Sequence, residues 1–159
     1  MKKFYAILTL LFVIFVVSPV KGESSMYVRP ILGYAIPVDG SDGSLAIGGA
    51  LGYTLMERLS LEASYTRLIG SGSAPDNNLV ELSGTFSIYF PVLSPFAKAG
   101  GGFYKFSAPG AAYKGFIDIG LGAELNIIPI INVGAGLSYM ALFDGPDYVY
   151  PYLYAGLSF

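Results

Sequence analysis

The sequence predicts an all-β fold, an eight-stranded antiparallel up-and-down transmembrane β-barrel. Three observations predict it. Apolar residues recur at every second position in segment after segment, and no segment beyond the N-terminus sustains a helical period. The links between those segments alternate between short ones and longer ones rich in Gly, Pro, Ser and Asp. Charged residues make up only 13% of the chain, against about 25% in ordinary soluble domains.

The N-terminus is a separate element. Residues 1–22, MKKFYAILTLLFVIFVVSPVKG, place two lysines before the apolar run Phe4–Val17 and end on the break Ser18–Pro19 and the small Gly22. That is the layout of a secretory signal peptide; the run of roughly 14 residues is short of the ~20 that a retained membrane helix, the alternative, would need. Cleavage would remove Lys2, Lys3 and Lys21 and move the formal charge from −2 to −5. No basic patch would remain, which argues against nucleic acid as a partner. Residues 23–159 are one domain in size. The chain has no cysteine, which excludes a disulfide framework and a thiolate metal site.

Eight strands follow. Weaker alternation runs over 26–36 and 45–54. From Leu59 to Leu68 the pattern is clear: Leu59, Leu61, Ala63 and Tyr65 lie on one face and Ser60, Glu62, Ser64 and Thr66 on the other. Val80–Phe90 repeats it, with Val80, Leu82, Phe86, Ile88 and Phe90 opposite Glu81, Ser83, Thr85, Ser87 and Tyr89. A weaker run covers 95–106. Lys114–Leu125 sets Ile117, Ile119, Leu121, Ala123 and Leu125 against Lys114, Asp118, Gly120, Gly122 and Glu124. Ile131–Met140 sets Ile131, Val133, Ala135, Leu137 and Tyr139 against Asn132, Gly134, Gly136 and Ser138, and the last run covers 148–159. Turn signals fall at 37–44, 56–58, 70–78, 91–94, 107–111, 126–129 and 144–147. Short and longer links in turn predict a meander with two unlike ends. Strands of roughly 10–12 residues suit a tilted crossing of an apolar slab, which takes about 9–11; globular strands are about half that length.

Side-chain size decides which face is outside. The bulky face carries Leu, Ile, Val, Phe and Tyr; the other carries mostly Gly, Ser, Ala and Thr with isolated charges. Small residues suit the inside of an eight-stranded barrel, which side chains alone can fill. The charges assigned to the interior are Arg29, Glu62, Glu81, Lys98, Lys114, Asp118 and Glu124. Lone buried charges cost several kcal/mol each, so they are read as a lumenal ion-pair network that plugs the barrel. For Lys114 and Glu124, near strand ends, contact with water is the alternative. Aromatics are expected in girdles, with Tyr27, Tyr53, Tyr89, Phe90 and Phe159 near the short-turn edge and Tyr104, Phe106, Tyr113, Phe143 and Tyr148 near the other. In the last strand Tyr148, Tyr150, Tyr152 and Tyr154 share the inward parity with Gly134 and Gly136 of the strand before. Rings packed over glycine are expected there; a stripe for a small apolar ligand is the alternative.

These features resemble the small eight-stranded outer-membrane barrels of Gram-negative bacteria, the OmpA/OmpX type of the porin family. The resemblance rests on the signal peptide, the eight alternating segments, the unlike links and the closing YLYAGLSF. That ending is similar to the C-terminal signature read for insertion, carried here by Leu153, Ala155, Leu157 and Phe159. Pro151, in the same register, departs from it because proline lacks a ladder donor. The resemblance implies a bacterial outer-membrane location, a surround of outer-membrane lipid and lipopolysaccharide, and insertion by the barrel-assembly machinery with periplasmic chaperones. It also implies a monomer, without the peptidoglycan-binding domain of longer OmpA-like proteins.

Enzymatic barrels of this kind use His as acid or base. This chain has no His, so its many serines lack an obvious base and no catalytic site is expected. Glu62 and Glu81 are the one pair that could imitate a glycosidase; ion pairing is the reading adopted. The DGSDG segment at 39–43 has oxygen ligands without a full calcium-loop spacing and is read as solvated turn, with no metal. GLG at 120–122 and GAG at 134–136 lie within strands, so no nucleotide and no cofactor is expected. The function expected is a non-enzymatic, plugged barrel with a structural or surface-interaction role. The rivals are a narrow pore or carrier for a small solute, a soluble lipocalin-like ligand-binding barrel, and an adhesin acting through its loops.

Overall fold

A computed structural model describes residues 25–56, 58–72, 76–90, 92–107, 110–128 and 130–159. The expected signal segment 1–22 lies outside the described residues. The strands are β1 (Ser25–Pro37), β2 (Ser44–Met56), β3 (Leu59–Gly70), β4 (Asn77–Ser87), β5 (Leu93–Phe106), β6 (Lys114–Ile128), β7 (Ile131–Leu142) and β8 (Tyr148–Ser158). Each pairs antiparallel with its sequence neighbours, and β1 pairs with β8, so the sheet is a closed barrel. The shortest strands have 11 residues. At about 3.3 Å per residue and a tilt near 40° such a strand rises roughly 28 Å, enough to cross an apolar band of about 25 Å.

Alternation sets the orientation. Leu61, Ile119, Leu121 and Leu137 face outward and are 47–68% exposed, whereas Glu62 and Asp118 face the lumen at 5% and 1%. A lipocalin-like barrel needs the reverse, with its apolar face in a dry centre, so the soluble ligand-binding alternative does not describe this fold. The chain closes at its last residue. The Met26 amide donates to the Phe159 carbonyl at 3.0 Å, and the Phe159 amide donates back to Met26 at 2.9 Å. The closing seam has two interruptions. The β1–β8 register keeps one alignment from Tyr27–Ser158 to Pro37–Tyr148 but skips Arg29–Pro30 and Tyr34–Ala35. Pro30 lies in the first gap and Pro151 stands opposite Tyr34 in the second; proline offers no ladder N–H.

Two sequence expectations are corrected. β4 begins at Asn77 and ends at Ser87, three residues earlier than its alternation suggests. Asn77 and Asn78 read as turn residues, yet they pair with Leu68 and Arg67 of β3 and with Phe106 and Lys105 of β5. The link that follows is therefore 88–92 rather than 91–94. The aromatic girdles also lose members. Tyr53, Tyr89, Phe90, Tyr113, Phe143 and Phe159 are exposed as expected, but Tyr27, Tyr104 and Tyr148 are buried in the lumen. Their parity places them there: Tyr27 lies two residues from inward Arg29, and Tyr148 two from inward Tyr150.

The inward tyrosines of β8 use the backbone of β7 as a floor. Gly136 pairs with Tyr152 and Gly134 with Tyr154. A Cβ at Gly136 would meet the Tyr152 hydroxyl oxygen 2.5 Å away, and one at Gly134 would meet the Tyr154 ring. Gly136→Val therefore overpacks the lumen although valine favours strands, and we expect it to cost about 1–3 kcal/mol. Urea unfolding of the refolded barrel checks this; a midpoint at or above wild type would show that the ring does not rest on that backbone.

Candidate functional site: the barrel lumen

The lumen has three layers, and each follows from which residues the inward parity delivers at that height. At the longer-loop end it is apolar and packed. Leu68 of β3, Leu79 of β4, Tyr104 of β5, Phe116 of β6 and Met140 of β7 are buried together. Tyr104 donates its hydroxyl hydrogen bond to the Asp144 carbonyl at 2.7 Å, which ties the β7–β8 loop across this end. Sequence reasoning gave this layer to a polar lumen and missed it. The signal was present: Leu68 continues the inward series Glu62, Ser64, Thr66, and Leu79 shares the parity of Glu81.

The middle layer is charged. Arg29 of β1 places its Nε 3.1 Å from Glu62 Oε2 of β3. Its guanidinium lies between two rings, 4.2 Å from the centroid of Tyr27 and 4.4 Å from that of Tyr154. Lys98 of β5 reaches two carboxylates, Glu81 of β4 at 2.7 Å and Asp118 of β6 at 2.8 Å. The Lys98 side chain is 11% exposed and that of Asp118 1%, so this triad is screened from bulk water. Tyr150 and Tyr152 stack at 5.3 Å between centroids, and Tyr152 and Tyr154 at 6.3 Å. They wall the charged layer on the β8 side. The free space left among these groups is about 20 Å³, room for about one water.

The third layer, at the short-turn end, is an open vestibule of about 180 Å³ with hydroxyl and amide walls from Thr54, Ser60, Ser94, Asn126 and Asn132. Glu124 faces this side and accepts a hydrogen bond from the Tyr154 hydroxyl at 2.9 Å.

The seven charges assigned to the interior by parity thus divide. Arg29 and Glu62 form one pair, and Glu81, Lys98 and Asp118 form a second group. Glu124 is held by a tyrosine hydroxyl rather than by a cation. Lys114 sits at the longer-loop rim, with Nζ 2.8 Å from the Asp144 carboxylate and its side chain 33% exposed. Asp144, a loop residue, carries no parity signal that could have nominated it. Glu62 and Glu81 are each engaged by a cation. Leu153, Ala155 and Leu157 of β8 and the terminal Phe159 all face outward, exposed. Among the described residues no group of three or more Asp or Glu side chains is placed to hold a metal ion.

Fold and lumen together define a class: a small closed barrel with an apolar exterior and a filled, charge-bearing interior. Solved structures of small outer-membrane β-barrels share its fold. The N-terminal β-barrel domain of Pseudomonas aeruginosa OprF superposes with a TM-score of 0.71 at 18% identity, covering 87% of this chain and 100% of that one. Neisserial surface protein A superposes with a TM-score of 0.70 at 13% identity, covering 89% and 100%. The outer-membrane enzyme PagL gives a TM-score of 0.54 at 14% identity over 82% and 98%. At these identities the likeness is one of fold. No protein-family model matches the chain, and no curated protein matches it in sequence.

Lys98→Met removes the cation shared by Glu81 and Asp118. Stranding two buried carboxylates is expected to cost about 3–5 kcal/mol. The triple variant E81Q/K98M/D118N should recover most of that loss. Both are read from urea midpoints of the refolded barrel; a single variant as stable as wild type would refute the energetic coupling of the triad.

Proposed function

We propose that this chain is an integral outer-membrane protein of a Gram-negative envelope, exported by cleavage of residues 1–22, and that it is a plugged, non-enzymatic barrel with a structural or surface-interaction role. One observation carries the plug: the mid-lumen is spanned by Arg29–Glu62 and by Lys98 with Glu81 and Asp118, with about 20 Å³ of free space. Bilayer insertion is supported by the outward Leu, Ile and Val of all eight strands, which water would leave as one continuous apolar belt. The outer membrane as the location is supported by the fold shared with barrels described from that membrane. PagL shows that this fold can carry an enzyme, so catalysis is argued from residues alone. The sequence holds no His, and the mid-lumen carboxylates Glu62, Glu81 and Asp118 each meet a cation. The partners proposed are outer-membrane lipid and lipopolysaccharide, with assembly-machinery contacts through the Leu153–Phe159 ending.

Orientation is tested by heat-modifiable gel mobility of the outer-membrane fraction: the folded barrel should run apart from the boiled chain. Leu121→Arg, on the outward face at mid-height, should lower stability in lipid vesicles by about 2–4 kcal/mol; insertion without penalty would overturn the membrane reading.

A narrow pore is the second reading, favoured by the vestibule, which brings water as far as Glu124. Planar-bilayer recording separates the two. The plugged barrel should give no steady steps. Regular single-channel steps from wild type would remove the plug.

A further inference from the structure

The outward face of β3–β5 near the longer-loop rim is built in two tiers. In register, Arg67 of β3 stands beside Asn78 of β4, and Asn78 beside Lys105 of β5. One step toward the middle of the barrel, Tyr65 stands beside Val80, and Val80 beside Phe103. A polar, basic tier therefore lies directly above an aromatic and aliphatic one. Between them runs a groove of about 650 Å³, continued by Tyr113 from the β5–β6 loop. The walls are fixed in place. The Tyr65 hydroxyl donates to Asn78 Oδ1 at 2.7 Å, and Asn78 Nδ2 donates to Ser107 Oγ at 3.1 Å. Lys105 Nζ lies 5.1 Å from the Tyr113 ring centroid.

Charge placement sharpens this. Among the described strand residues that face outward, Arg67 and Lys105 are the charged ones, and both are basic. The acidic residues of the described chain lie in the lumen or in the loops. Arg67 shares its charge with Asp76, 3.1 Å away; the Gly70 amide first and Arg67 second hold that carboxyl below the usual carboxylate range. Lys105 has no carboxylate within ion-pair distance among the described residues, so it is the cation open to a ligand.

We infer that this groove is a docking site for a phosphorylated, acyl-bearing lipid of the surrounding bilayer, with the phosphate on Lys105 and an acyl chain against Tyr65, Val80 and Phe103. The occupant follows from complementarity. A cation at headgroup height selects an anionic head, and the aromatic and aliphatic tier below it selects a chain that enters hydrocarbon. A soluble anion would use only the upper tier.

The inference rests on the barrel lying in a bilayer, and the test separates the two. The barrel is refolded in phosphatidylcholine nanodiscs, and insertion is first checked by heat-modifiable mobility; failure at that step sinks the membrane reading and the site with it. Inserted barrels are then loaded with lipid A carrying its phosphates or with dephosphorylated lipid A, and retained lipid is counted by native mass spectrometry. Wild type should retain the phosphorylated form preferentially, and K105Q should lose about fivefold of that preference. R58Q, at the short-turn end, should keep it. Equal retention of the two lipids by wild type, an unchanged K105Q, or an equal loss in R58Q would overturn the site. So would displacement of the lipid by inorganic phosphate alone, since the lower tier would then contribute nothing.

Discussion

The structure depends on one constraint: in hydrocarbon every backbone N–H and C=O needs a partner within the protein. A sheet meets it only by closing on itself. Here closure is made by β1 and β8, down to the reciprocal amide–carbonyl pair of Met26 and Phe159. The same seam holds Pro30 and Pro151, each at a gap in the ladder, so closure rests on fewer bonds there than the regular spacing would allow.

Closure fixes the remaining problem, which is what to place inside. Eight strands leave a lumen that side chains must fill. This chain fills it in layers of different chemistry. Apolar groups pack the longer-loop end, ion pairs span the middle, and hydroxyls and amides line an open vestibule at the short-turn end. The layers support one another. Tyr152 and Tyr154 of β8 lie flat over glycines of β7, and Tyr154, with Tyr27 of β1, presents a ring face to the Arg29 guanidinium. An arginine held between two rings can meet Glu62 with little freedom left to lose.

The charged layer favours ordering over added stability. A buried pair roughly balances its desolvation against its attraction, whereas a stranded charge is expensive. Two carboxylates on one lysine therefore tie β4, β5 and β6 into one arrangement, and Arg29–Glu62 ties β1 to β3 across the lumen. The exterior follows a plainer rule. Hydrocarbon tolerates Leu, Ile, Val and aromatic rings almost interchangeably, and among the described strand residues the two outward cations, Arg67 and Lys105, lie at one rim.

The strand count, the unlike ends and the inward or outward side of nearly every residue are legible in the sequence, because side-chain direction in a strand has a period of two whatever the strand packs against. Parity also nominated the lumenal charges, including Lys98 and Asp118, and it held the unread evidence that Leu68, Leu79 and Tyr27 point inward. Size and polarity point the other way for these three, because the lumen also takes bulky apolar and aromatic side chains. Tertiary structure alone decided who meets whom. Register and height set Lys98 between two carboxylates, gave Glu124 a tyrosine hydroxyl instead of a cation, and turned Lys114 toward Asp144 of a loop. Period two says which side of a strand a group occupies; how far along the barrel axis it sits relative to a group on another strand comes from the stagger of all eight, which no single segment encodes.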